Sequence, residues 1–252
     1  MDFTIDLGRE AGELALAHFA DRDHLTVENK RPLDLVTEAD RDVENLLRAR
    51  IKARFPEDGF LGEETVGGAG SSRRTWVVDP IDGTLNFLRG NDAWAVSIGV
   101  MDHDRPLLGV VYAPVRRELF SGAHDEQACL NGSPLKLAPA AVQADAVLGV
   151  GFGARVSVER QLSVLNFIVG DCAMTFRRNG AASISLMMLA QGQLDGFVAV
   201  GLSSWDVIGG VAAAGALGYG SSIDWQRVSL TDSLSFVCAS KSVVERFAHY
   251  FG

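Results

Sequence analysis

WVVDPIDGTLNF, residues Trp76–Phe87, begins as an apolar strand and ends as a turn that carries two carboxylates. We predict a strand over Trp76–Val78, after which Asp79 and Asp82 lie three residues apart on the turn. Proline fixes the backbone there, and glycine allows another chain segment to approach closely. Carboxylate and peptide carbonyl oxygens are the ligands that Mg²⁺ prefers, so the segment is a candidate metal site. Taken alone, it is equally well an ordinary capping turn.

Two further acidic clusters favour the metal site. Gly62-Glu63-Glu64 follows an apolar pair, and Trp205-Asp206 opens an apolar helix. Acidic side chains beside so much apolar surface are costly unless they are paired or bind a metal. In addition, Gly83 and Thr84 are expected to start a short helix whose free N–H groups face a phosphate.

Composition limits the possible partners. The chain has 252 residues and a formal net charge of -9 without a basic block, so nucleic acid is not an expected partner. An anionic substrate then needs local arginine or lysine, or bound cations. The three cysteines lack a CxxC pair and are expected to be unpaired thiols in a reducing compartment, which predicts a cytoplasmic protein. We expect neither a signal peptide nor a membrane span.

The order of secondary structure indicates helices packed on sheets. Two helices are predicted first, over Phe3–Ala20 and after Thr37, which is the expected N-cap, with a short strand at Leu25–Val27 between them. Mainly antiparallel strands follow from Trp76, at 93–100, 107–112 and 118–121. After about residue 145, strands (146–150, 173–176, 197–200) alternate with helices (156–169, 181–191, 206–218), and a strand at 236–238 and a short helix close the chain. Gly149–Gly153 is interpreted as a loop, because its spacing does not match the dinucleotide-binding fingerprint.

Together, Gly62-Glu63-Glu64, the stretch Trp76–Phe87 and Ser204-Trp205-Asp206-Val207 resemble the inositol monophosphatase family of lithium-sensitive, Mg²⁺-dependent phosphatases. The resemblance implies an α/β fold, a five-layered αβαβα sandwich of the inositol monophosphatase and fructose-1,6-bisphosphatase type. It implies a single phosphatase domain with an α+β half at 1–142 and an α/β half at 143–252. A homodimer and inhibition by lithium are further expectations.

The resemblance also assigns roles to individual residues. Two or three Mg²⁺ would be held by Glu63, Asp79, the Ile81 carbonyl, Asp82 and Asp206. Catalysis would use Asp40, Thr84 and Glu63, with Asp40 and Thr84 orienting and deprotonating the attacking water. The substrate side would include Gly83, Thr84, Arg177, Gly180, Ala181 and Asp206. Lys30 resembles a lysine on a mobile loop over the site, and it is equally well a solvated loop charge.

The implied activity is that of a phosphoric monoester hydrolase acting on a small phosphorylated metabolite, with an inositol-1-phosphate-type substrate as the leading prediction. Ala199 stands where the family has an inositol-contacting glutamate, so histidinol phosphate and a 3'(2'),5'-bisphosphate nucleotide are alternative substrates. Arg89 either meets a second negative charge or pairs with Asp92. The alternative from another class is a non-catalytic binding or regulatory member of the family.

Overall fold

The computed structural model describes residues 1–31, 34–65, 67–138 and 146–251. Its helices are α1 (Asp2–Ala20), α2 (Glu38–Arg54), α3 (Thr84–Leu88), α4 (Val158–Asn166), α5 (Ala182–Ala190), α6 (Ser204–Leu217) and α7 (Lys241–Phe251). Its strands are β1 (Val27–Arg31), β2 (Asp34–Thr37), β3 (Gly59–Gly62), β4 (Arg74–Asp82), β5 (Ala95–Asp102), β6 (Arg105–Ala113), β7 (Glu118–Ala123), β8 (Glu126–Leu130), β9 (Ser133–Pro134), β10 (Val147–Phe152), β11 (Thr175–Arg177), β12 (Gly196–Leu202), β13 (Gly220–Ser221) and β14 (Leu234–Ala239). None of the described helices is both long and apolar enough to cross a bilayer.

The first two layers are a helix pair and a sheet. Strands β3 to β9 form a seven-stranded sheet in chain order, and it is antiparallel except for the β3–β4 pair. Helices α1 and α2 cover one face of this sheet. Val43, Leu47 and Ile51 recur at helical spacing along α2 and are buried against β4 and β5. This apolar stripe orients α2. As a result, Glu38 and Asp40 in its first turn lie near the end of β4.

The remaining layers follow from the second half of the chain. Helices α5 and α6 are buried between the seven-stranded sheet and a second sheet of order β11-β10-β12-β14-β13. Helices α4 and α7 lie on the outer face of the second sheet. The predicted αβαβα sandwich is therefore confirmed. The predicted boundary between residues 142 and 143 lies outside the described residues.

A β-bulge interrupts the pairing of β4 with β5. Asp79 lies opposite Ser97, whereas Asp82 lies opposite Ala95, so β4 has one residue more than β5 across this interval. In a regular strand, residues three apart point to opposite faces, and the extra residue brings the two aspartates to the same side. The strand predicted to end at Val78 was too short, because pairing with β5 continues through Asp79–Asp82, which we call the acidic motif.

Other elements also differ from the sequence-based prediction. Strand β1 begins at Val27, and a 3-10 turn, Arg22–His24, precedes it. Strands β2, β3, β8, β9 and β13 were not predicted. The loop predicted at Gly149–Gly153 was wrong, because most of this segment belongs to β10. Its glycines allow close packing: a Cβ atom at Gly151 would lie 2.9 Å from the Phe197 ring and 3.1 Å from a Leu202 methyl carbon.

Candidate active site

Four carboxylates from three parts of the fold lie within electrostatic reach of one another. Strands β3 and β4 run parallel, so Glu63, which follows β3, and the β4 bulge lie at the same edge of the sheet. Helix α6 packs on this sheet and contributes Asp206 from its first turn. The pKa of Asp79 is raised well above its usual range by burial and then by the negative charges of Glu63, Asp82 and Asp206.

Asp82 is held by the N-terminus of α5. One of its carboxylate oxygens, Oδ2, accepts a hydrogen bond from the backbone N–H of Ser183 at 2.6 Å and another from the Ser183 hydroxyl. Burial raises the pKa of Asp82 to about 6, and the hydrogen bonds from Ser183 and Ala182 oppose this shift. The sequence prediction missed Ser183, whose only signal was its place in the first turn of an apolar helix.

Asp40 and Asp206 occupy equivalent positions in two helices. Each lies three residues after an N-cap, in the TEAD and SSWD segments, and accepts a hydrogen bond from the N-cap backbone: Thr37 N–H to Asp40 Oδ2 at 2.8 Å, and Ser203 N–H to Asp206 Oδ2 at 2.8 Å. This is a capping box, and it confirms the predicted cap at Thr37. Helix capping therefore fixes the positions of both predicted site aspartates.

The second carboxylate oxygen of Asp40, Oδ1, bears on the predicted role of this residue in catalysis. Asp40 is buried, and among the described residues its Oδ1 atom has no hydrogen-bond partner. Burial raises the pKa of Asp40 to about 6, opposed by hydrogen bonds from Thr37. In the described ranges, the Thr84 hydroxyl donates to the Ile81 carbonyl at 3.1 Å. The joint action of Asp40 and Thr84 on a water molecule thus stays a prediction, and Asp40 keeps one buried oxygen for such a partner.

Two glycines bring the predicted substrate-side segment against the acidic motif. Gly83 has a φ of 94°, and a Cβ atom there would lie 3.0 Å from the Ala181 Cβ atom. Gly180 has a φ of 81°, and a Cβ atom there would lie 2.9 Å from Asn86 Nδ2. Asn86 Nδ2 also donates to the Asn179 carbonyl at 2.9 Å. This contact fixes the start of α5 beside the motif.

A pocket of about 150 Å³ opens beside Asp82 and Asp206. Its other lining residues are Val150, Gly151, Phe152, Arg178, Gly180, Ala181, Ala182 and Leu202. Arg178 therefore lines the pocket, whereas Arg177, the predicted substrate-side arginine, is an exposed residue of β11 outside this lining. The Arg178 guanidinium carbon lies 5.8 Å from the centre of the Phe152 ring.

Two neighbouring positions bear on substrate choice. Ala199 is fully buried in β12, where it packs in the cluster that includes α5 and α6, and its methyl group offers no hydrogen bond to a substrate hydroxyl. Asp92 pairs with Arg116 at 3.2 Å, so the suggested pair between Arg89 and Asp92 was wrong. The partner of Asp92 is thus Arg116, in the turn between β6 and β7, and not Arg89, which is closer in sequence. Lys30 lies among residues whose side chains are not described.

Glu44 supports the loop that carries Glu63. Its side chain is only 2% exposed, and its Oε2 atom accepts a hydrogen bond from the Glu64 backbone N–H at 2.8 Å. A Cβ atom at Gly62 would lie 2.3 Å from the same Glu44 oxygen, so a larger residue there would displace the Glu44 carboxylate. The sequence prediction missed Glu44. An available signal was its position one helical turn after Asp40, beside the buried stripe of α2.

The residues at this site are chemically suited to hard divalent cations. Each cause of the raised Asp79 pKa acts in the same direction, and a bound cation would supply the opposite charge. The donors are carboxylate oxygens, which Mg²⁺ prefers over nitrogen or sulfur. Across the described ranges, no three acidic, histidine or cysteine side chains converge closely enough to form a complete ligand set. Instead, Asp82 is drawn to α5 and Asp206 to its own cap.

Comparison with known proteins agrees with this architecture. The model of the inositol monophosphatase family matches residues 1–250. "Inositol monophosphatase 1" of Solanum lycopersicum is 36% identical over 245 residues, which cover 91% of this chain and 89% of that protein. "Nus factor SuhB" of Escherichia coli K12 is 32% identical over 213 residues, covering 83% and 79%.

Solved structures show the same fold. "Mycobacterium tuberculosis SuhB" superposes with a TM-score of 0.80 at 30% identity, over 97% of this chain and 92% of that chain. The inositol monophosphatase from Anabaena superposes with a TM-score of 0.85 at 25% identity, over 100% and 94%. The chain belongs to the inositol monophosphatase family.

Proposed function

We propose that this protein is an Mg²⁺-dependent phosphatase that hydrolyses a small phosphate monoester by direct attack of water. The observation that carries the proposal is the cluster of carboxylates around the buried Asp79, whose pKa is raised by burial and then by the negative charges of three neighbouring acids. Such repulsion is costly for a folded protein, and a site that binds divalent cations recovers that cost when the cations bind. Family membership supports the same reaction class.

Glu63, Asp79, Asp82, Asp206 and the Ile81 carbonyl would hold two or three Mg²⁺. When bound, the ions would neutralise phosphate oxygens, lower the pKa of water and stabilise the leaving alkoxide. Asp40, with one buried oxygen lacking a partner in the described chain, accepts the proton of the attacking water. The water oxygen bonds to phosphorus, the ester P–O bond breaks, and the departing alcohol oxygen takes up a proton.

Other residues orient the substrate. Gly83, Gly180 and Ala181 let the backbone of two segments approach closely beside Asp82 and Asp206. A bound monoester would place its phosphate on the metal side and its alcohol in the pocket lined by Val150, Phe152 and Leu202. Holding the reacting groups in one geometry is itself a large part of catalysis in such a site.

Inositol 1-phosphate is the reference substrate for this proposal, because relatives bear the name inositol monophosphatase. Histidinol phosphate and a 3'(2'),5'-bisphosphate nucleotide are the alternatives. A homodimer is proposed on the same family grounds, and a cytoplasmic location is proposed from the three cysteines without a CxxC pair. The competing function is that of a non-catalytic binding or regulatory protein. It is considered because several relatives of similar identity are named as a Nus factor.

Phosphate release separates the two functions. The purified protein is incubated with inositol 1-phosphate, histidinol phosphate, 3'-phosphoadenosine 5'-phosphate and 4-nitrophenyl phosphate, with Mg²⁺ or with EDTA. We expect release from at least one monoester that requires Mg²⁺. No Mg²⁺-dependent release from any of them would refute the enzymatic proposal and favour the binding function.

A further inference from the structure

The part of the pocket away from the aspartates has an unusual composition for a polyol site. Val150, Phe152 and Leu202 are the large apolar residues of its lining, and Ala199, which pairs with Gly151 on the neighbouring strand β12, supplies no acceptor. A cyclitol carries hydroxyl groups that lose hydrogen bonds to water when they enter an apolar pocket. The apolar side chains in this part of the pocket therefore offer no hydrogen-bond partners that would select a neutral polyol.

Arg178 is the one cationic side chain in this lining, as far as the described residues extend. Its guanidinium lies 5.8 Å from the centre of the Phe152 ring, a cation–π distance, and the described residues provide it with no ion-pair partner. Arg178 is therefore held beside the pocket by an aromatic ring, with its N–H groups available.

We infer that Arg178 binds a second oxyanion, a carboxylate or a phosphate, carried by the alcohol part of the substrate. This rests on the proposed phosphatase function and names the substrate class for the same site. Guanidinium presents paired N–H donors that match a carboxylate or phosphate, and such charge-assisted bonds are stronger than neutral ones.

The negative net charge of the protein gives a local cationic contact added importance for a substrate with a second anion. With a formal net charge of -9, the chain repels an anionic substrate at long range, and a second negative charge increases that repulsion. The bound cations would serve the phosphate that is hydrolysed. Only a local positive group can then favour a further anion, and Arg178 occupies that place in the pocket.

Three substrates with one carbon skeleton test this inference. Glycerol 1-phosphate carries no second anion, 3-phosphoglycerate carries a carboxylate, and glycerol 1,3-bisphosphate carries a phosphate. kcat/KM is measured for each at one fixed concentration of free Mg²⁺. We expect the two substrates with a second anionic group to be preferred over glycerol 1-phosphate by roughly tenfold, the scale of one hydrogen bond to a charged group, and their ranking distinguishes carboxylate from phosphate.

Two arginine variants locate the effect. R178Q is expected to abolish the preference through KM, while R177Q, which removes the same charge one residue away and outside the lining, is expected to preserve it. Phe152→Leu keeps the apolar volume but removes the ring, and it should reduce the preference partly. An unchanged preference in R178Q, or its loss in R177Q, would overturn the inference.

The experiment keeps the two proposals apart. Glycerol 1-phosphate hydrolysis reports the phosphatase function alone, because it lacks the second anion. If none of the three esters is hydrolysed, the phosphatase function is judged on the four monoesters named under the proposed function. Equilibrium binding of 3-phosphoglycerate by calorimetry then tests Arg178 separately. Weaker binding to R178Q than to R177Q supports the inference, and equal binding contradicts it.

Discussion

The Glu44 carboxylate accepts a hydrogen bond from the Glu64 backbone N–H at 2.8 Å and thereby joins α2 to the loop that carries Glu63. Asp40 lies one helical turn earlier on the same helix. A single helix therefore positions the proposed proton acceptor and, through Glu44, a proposed metal ligand. Residues that hold ligands in place are often as important for metal affinity as the ligands themselves.

Glu44→Ala should raise the Mg²⁺ concentration needed for half-maximal rate by about tenfold or more, because the Glu63 loop loses its anchor. Glu44→Gln keeps an oxygen that can accept from Glu64 N–H and should lie close to the wild type. The measurement is initial rate against free Mg²⁺. If the two variants were affected equally, the charge of Glu44 rather than its hydrogen bond to the loop would be responsible.

Asp79→Asn should stabilise the metal-free protein while it abolishes turnover. The amide removes a buried negative charge that repels three neighbouring acids, and its oxygen can still accept from the Ile81 N–H, which lies 3.0 Å from Asp79 Oδ1. We expect Tm in EDTA to rise by a few degrees, about 1 kcal/mol for a chain of this size. A lower Tm in EDTA would show that the cluster is not under electrostatic strain.

The stability of the metal-free protein should fall as pH rises from about 4 to 6. Asp40 and Asp82 have a folded-state pKa of about 6 against an ordinary value of 3.8, so the folded state binds more protons in this window. Each group contributes on the order of 2–3 kcal/mol. Urea unfolding in EDTA at several pH values measures the slope, and Asp82→Asn should reduce it. An identical slope in that variant would contradict the assignment to Asp82.

Ser183→Ala should weaken Mg²⁺ binding more at pH 6 than at pH 8. The Ser183 hydroxyl and N–H lower the pKa of Asp82 against the effect of burial, so loss of the hydroxyl raises that pKa further. Protons then compete with the cation at pH 6 but not at pH 8. Half-saturating Mg²⁺ at both pH values is the readout, and Ser183→Thr should restore the wild-type ratio. An equal loss at both pH values would indicate a purely structural role.

Local sequence signals predicted most of the fold and of the acidic cluster. The TEAD segment specifies a capping box, and the apolar spacing of α2 specifies which face is buried. Both features can therefore be predicted from the sequence alone. The bulge at Asp79–Asp82 is different, because it exists only in the register with β5. Likewise, Gly151 is explained by the Phe197 ring from a neighbouring strand, which no local pattern reveals.

The substrate side was the least predictable part. Which of two adjacent arginines faces the pocket depends on how β11 enters the sheet and on the position of Phe152, a residue from another strand. Glu44 and Ser183 were missed for a similar reason, since their partners lie 20 and 101 residues away in the chain. Contacts of this range are set by the packing of the layers.

The central claim is that the carboxylate cluster supports Mg²⁺-dependent hydrolysis of phosphate monoesters. The most direct measurement is the rate of phosphate release as Mg²⁺ is titrated into wild type and Asp82→Asn, with circular dichroism to verify that both are folded. We predict a saturable rise from no release in EDTA for the wild type, and almost no release for Asp82→Asn at any Mg²⁺ concentration. Wild-type release that persists in EDTA, or an unchanged kcat in folded Asp82→Asn, would contradict the account.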